Sequence, residues 1–179
     1  MAPEATTAPD AEAKALLSSL QQQRRHVLGI LDGLDDDALR RPVLPSGWTC
    51  AGLVRHLALD VERFWFREVA EGNPDAAGEP EDTGGPADDA DDHWQVGRHV
   101  PASAALDLYR REAELADAVI ARTALDSAPA WWPSFFGQWR LDDLREIILH
   151  VITETACHAG HLDAARELID GTQWVVLTE

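Results

Sequence analysis

The stretch Leu141 to Gly171, LDDLREIILHVITETACHAGHLDAARELIDG, decides how the whole chain is read. Its apolar approach, REIILHVIT, keeps a helical period, no proline interrupts it, and Gly171 stands where a helix stops. The sequence predicts the longest helix of the protein over 141–170. That helix also carries metal-ligating side chains: His150, Glu154, Cys157, His158 and His161. With His150 at zero and about 100 degrees per residue, His161 falls near 20, Glu154 near 40 and His158 near 80 degrees. These four share one face, and Cys157 points about 100 degrees away from His158, which reads as packing. His150 and His161 are roughly 16 Å apart along the axis, too far to share an ion, whereas Glu154 and His158 are i and i+4, about 6 Å apart, and can converge on one.

Working outward, the same periodicity marks three further helices. One runs from about Asp10 to Leu34, with Ala15, Leu16, Leu20, Val27, Ile30 and Leu31 as its apolar positions. Asp35 to Arg40 reads as one short turn with acids at its start, closed by Pro42 and Pro45. A second long helix runs from about residue 50 to 71, with Thr49 as N-cap and Gly72 as stop. A third spans about Ala102 to Ala124, with Leu106, Tyr109, Leu115, Val119 and Ile120 facing inward. Between helices 2 and 3, residues 72–93 are rich in Gly, Pro and acids and read as a flexible acidic loop. DSAPAWWPSFFGQW, before the last helix, is an aromatic loop suited to a substrate wall or a subunit contact. Four long helices without a convincing strand predict an all-α, antiparallel-type four-helix bundle, and residues 1–179 are long enough for a single domain.

Composition narrows the function. The net charge of -17, from 32 acidic and 15 basic residues, repels phosphates and anionic lipid heads, so no nucleic acid is expected as partner. No apolar run approaches the roughly 20 residues of a membrane helix, and the N-terminus lacks the build of a signal peptide, which predicts a cytoplasmic protein off the membrane. Cys50 and Cys157 are too few for a disulfide framework, and Cys50 reads as a buried thiol. Seven tryptophans are many for 179 residues, and core packing is the expected use of most. Gly160 inside a helix reads as room for a neighbouring helix or a ligand.

The Glu154/His158 pair needs a third ligand to make a metal site with an open position. His56, in CAGLVRHLALDVERFWF, lies at the edge of the second helix's apolar stripe and faces the bundle interior. Asp60, one turn on, reads either as a hydrogen-bond partner of a site residue or, the commoner case, as a solvent-facing acid. A Glu-x-x-x-His spacing also arises by chance, and a histidine on an apolar face is most often a core or boundary residue, so spacing alone leaves both readings open.

GWTCAGLVRHLALDVERFWFRE and ILHVITETACHAGHLDAARELIDG together resemble the DinB-like superfamily, in its actinobacterial branch related to the metal-binding domain of mycothiol-dependent maleylpyruvate isomerase. The resemblance implies a four-helix bundle in which one histidine of the second helix and two ligands of a later one hold a divalent metal. The His, Glu, His set of that branch falls on His56, Glu154 and His158. Zinc is the expected ion, with nickel, iron and manganese as alternatives, and a mycothiol-type thiol is the implied cosubstrate. His161, one turn past His158, is placed either as a cavity residue supporting the ligands or at the helix boundary. His150 is read as structural support.

The resemblance thus implies a small-molecule thiol S-transferase or isomerase whose metal activates a thiolate, with no catalytic acid or base assigned. The related isomerase has a second, C-terminal domain where this chain ends, which points away from maleylpyruvate itself. The alternatives are a metal-dependent hydrolase and a non-catalytic small-molecule-binding or stress-response protein. DinB-like bundles pair into homodimers, which extends that expectation to this chain.

Overall fold

The computed structural model describes residues 8–73, 75–76 and 94–174. Helix α1 spans Ala8–Ile30, α2 Asp36–Leu39, α3 Cys50–His56, α4 Ser103–Arg122 and α5 Leu144–Asp170. The described residues contain no strand. They form an all-α four-helix bundle with α1, α3 and its extension, α4 and α5 as the long members.

Local chemistry sets the boundaries. Asp35 caps α2 by accepting from the Ala38 N–H at 2.8 Å, and Thr49 caps α3 by accepting from the Gly52 N–H at 3.0 Å. Asp143 does the same for α5 through the Glu146 N–H, and Gly171 ends it with φ +79. The last carbonyls of α1 are met from another helix: Arg166 Nη1 donates to the Ile30 and Asp32 carbonyls at 2.6 and 2.8 Å.

Past His56 the second helix does not stay α. It continues as a π-helix over Leu57–Ala70, a winding that is rare and accompanies functional sites. One half-buried stripe runs along this helix. His56, Asp60, Phe64 and Glu68 are its only half-buried positions, while every residue between them is buried.

The contacts also correct the expected antiparallel order. Glu12 pairs with Arg145 and Ile30 with Arg166, so α1 runs parallel to α5. Arg63 meets Glu112 and Glu71 meets Arg122, so the π segment runs parallel to α4. The π segment and α5 are antiparallel, with His56 opposite His158 and Trp65 opposite His150. The long connection between the π segment and α4 permits the parallel return.

The apolar core joins Leu20 and Val27 of α1, Leu53 and Phe66 of the second helix, Tyr109 and Val119 of α4, and Ile147 and Leu162 of α5. It encloses charge as well. Arg24 forks onto Glu62 at 2.7 and 2.6 Å and reaches Asp117 at 2.6 Å, and Arg63 and Arg67 both reach Glu112. Burial pushes the Glu62 carboxyl pKa up, and Arg24 pulls it back.

Trp65 is buried in the core and Trp48, Trp94 and Trp132 pack against it, four of the seven tryptophans as expected, while Trp131, Trp139 and Trp174 are exposed. Other expectations are corrected. Cys157 is exposed rather than packed, whereas Cys50 is buried as expected, with its thiol pushed up to about 11. A Cβ at Gly160 would meet nothing within 4 Å, so no helix packs there. Most of the acidic segment 72–93 lies outside the described residues, as do residues 175–179 of the tail.

Candidate active site

The groove between the π segment and α5 gathers the metal-ligating side chains. Of the two readings of Asp60 the hydrogen-bonding one holds: its Oδ2 lies 2.6 Å from His56 Nδ1. A carboxylate there accepts a hydrogen bond from Nδ1–H, the tautomer that leaves the lone pair on Nε2 in the neutral ring. The His56 ring stands edge-on to that of His158, centroids 5.1 Å apart. His158 Nε2 lies 3.7 Å from Glu154 Oε2, and its Nδ1 lies 3.4 Å from His161 Nδ1.

His158 is therefore surrounded by the groove's ionisable groups. Burial, reinforced by His56 and His161 and opposed by Glu154, lowers its pKa to about 4. It stays neutral at physiological pH, as a metal ligand must. Glu154 is half-exposed, and no arginine or lysine pairs with it among the described residues.

Two imidazoles and a carboxylate suit a divalent ion, and the carboxylate on the second nitrogen of His56 is the support such a ligand needs. Pairwise, His56 meets His158 and His158 meets Glu154. As a set they are looser: among the described residues no group of three or more His, Cys, Asp or Glu side chains stands at metal-holding geometry. The donor chemistry, two imidazoles and a carboxylate, fits a divalent metal.

His161 supports His158 and lies 6.5 Å from the Trp48 ring. His150 belongs to a different neighbourhood, against Trp65 at 4.7 Å and Trp139 at 5.6 Å, and burial lowers its pKa against the pull of Glu154. There Phe64, Trp65, Trp132, Phe136 and Trp139 make an aromatic belt. The aromatic loop is fastened to the end of the π segment by the Ala130 and Trp131 N–H groups, which donate to the Ala70 and Val69 carbonyls.

Sequence reasoning missed Trp94. Its ring stacks on His56 at 4.2 Å and 15 degrees and lies 6.2 Å from His158. The one available signal was a lone aromatic ending an acidic, aperiodic run.

No helix among the described residues is long and apolar enough to cross a membrane. No curated protein matches the chain. The family model described as Mycothiol-S-transferase matches residues 15–171, a span that takes in all but the first turns of α1 and includes His56, Asp60, Glu154 and His158, and the chain belongs to that DinB-like family.

Proposed function

We propose that the chain transfers a mycothiol-type thiol to an electrophilic small molecule, with His56, Glu154 and His158 holding a divalent metal. The convergence of His56 on the Glu154/His158 pair, with Asp60 fixing the His56 ring, is the observation that carries this reading. Zinc suits the donor set best, and a divalent cation supplies the charge that favours a thiol's anionic form.

The chain's own groups do the rest. Asp60 holds the Nδ1 proton of His56 and so keeps Nε2 free. His161 stands at Nδ1 of His158. Trp65 and Trp139, around the ring of His150, offer an apolar surface beside Glu154 for the electrophile. The thiol gives its proton to solvent, the thiolate sulfur forms the new bond to carbon, and the leaving group departs with the electron pair of the bond that breaks.

The test is transfer of mycothiol to a fluorogenic electrophile. Activity in the parent and its loss in His56→Ala are expected. Equal transfer by parent protein stripped of metal would overturn the proposal, and turnover with thiol omitted would replace it with a hydrolase.

A further inference from the structure

His56 is held on two sides, and the second hold comes from a part of the chain remote in sequence. Gly52 and His56 are four residues apart on one face of α3. The backbone of Trp94 rests on that face so closely that a Cβ at Gly52 would overlap its carbonyl oxygen. Because the obstacle is backbone, no rotamer change relieves it. From that seat the Trp94 ring reaches one turn along and stacks on His56 at 4.2 Å.

The seat is fixed from the other side too. Arg40, itself paired with Asp36 at 2.8 Å, donates to the Val96 and Gly97 carbonyls at 3.0 and 3.3 Å and also to the Val100 carbonyl. Asp36 accepts from the Ala102 N–H at 2.5 Å. The strand of chain carrying Trp94 is thereby tied to α2. With Asp60 gripping Nδ1 in the ring plane and Trp94 covering a ring face, both the tilt and the rotation of the imidazole are set.

We propose that Trp94, seated on Gly52, is a positioning residue for His56 as a metal ligand. The proposal rests on the metal reading above. It assigns to glycine at position 52 a role that a helix interior otherwise disfavours, since Gly costs about 1 kcal/mol against Ala there.

Two readouts test it. In metal-free protein, the ring protons of His56, assigned with His56→Gln, are shifted upfield by the indole face; Trp94→Ala and Gly52→Ala should both abolish that shift. In cobalt(II) titration the same two variants should bind about ten- to a hundredfold more weakly than the parent, as loss of a ligand's support does, while Trp94→Phe, which keeps a stacking ring, should stay near the parent. A His56 shift unchanged by Trp94→Ala, or cobalt affinity unchanged in both variants, would overturn the proposal. A parent that takes up no cobalt fails the metal reading instead, and the ring shift still decides whether Trp94 holds His56.

Discussion

Glu62 and Glu154 are carboxylates of one bundle with opposite surroundings. Glu62 is wholly buried and gripped by both arms of Arg24, and its neighbours Arg63 and Arg67 are matched by Glu112. Glu154 is 41% exposed and faces the neutral His158 at 3.7 Å. In the first cluster each carboxylate is answered by an arginine. The second has acceptor atoms without a matching protein cation at Glu154, the arrangement of a site that awaits a ligand. The second helix contributes to both clusters, Glu62 from the buried side of its π segment and His56 and Asp60 from its half-buried stripe.

The largest expected effect falls on the first cluster. Arg24→Ala leaves Glu62 buried and unpaired and should destabilise the fold by about 3–5 kcal/mol in a denaturant titration, whereas pairing Arg24→Met with Glu62→Leu should recover much of that loss. A loss below about 1 kcal/mol for the single variant would erase the distinction between the two carboxylates.

Glu154→Gln should show the reverse pattern. Stability should stay within roughly 0.5 kcal/mol of the parent, as at other partly exposed positions, while metal affinity and thiol transfer fall beyond the about ten- to hundredfold typical of supporting residues. Asp60→Asn is the intermediate case. It keeps the shape but weakens the hold on His56 Nδ1, and cobalt affinity should fall about ten- to hundredfold with the fold intact.

The second cluster should also respond to acid. His158 has its pKa lowered from 6.5 to about 4 in the fold, so between those values the unfolded chain binds the extra proton. Its contribution to stability is complete above about pH 6.5 and declines as pH falls toward 4. In metal-free protein the denaturation midpoint should drop across that window, and His158→Gln should flatten the drop. The smallest effect lies beside the site: Gly160→Ala should stabilise by up to about 1 kcal/mol, since the added methyl meets nothing and the helix gains propensity. A destabilised Gly160→Ala would restore the close approach that the sequence suggested.

Much of this was legible in the residues. Thr49, Gly72 and Gly171 marked helix ends because capping chemistry is local, and the Glu154/His158 pair followed from α-helical spacing that α5 keeps. The i, i+4 spacing of Asp60 and His56 already allowed their partnership, but spacing alone cannot tell a paired acid from a solvent-facing one. Arg24, Glu62 and Glu112 look like surface charges until their mates on other helices are known, because pairing across helices has no sequence period. Trp94 lies beyond an aperiodic acidic run, where no pattern links it to His56 thirty-eight positions earlier.

The most direct measurement is the metal content of untagged protein, by elemental analysis, followed by mycothiol titration before and after chelation. One divalent ion per chain is expected, absent from His56→Ala and Glu154→Gln, with thiol binding lost on chelation and restored by zinc. Saturable mycothiol binding that survives complete removal of metal would contradict the assignment of His56, Glu154 and His158.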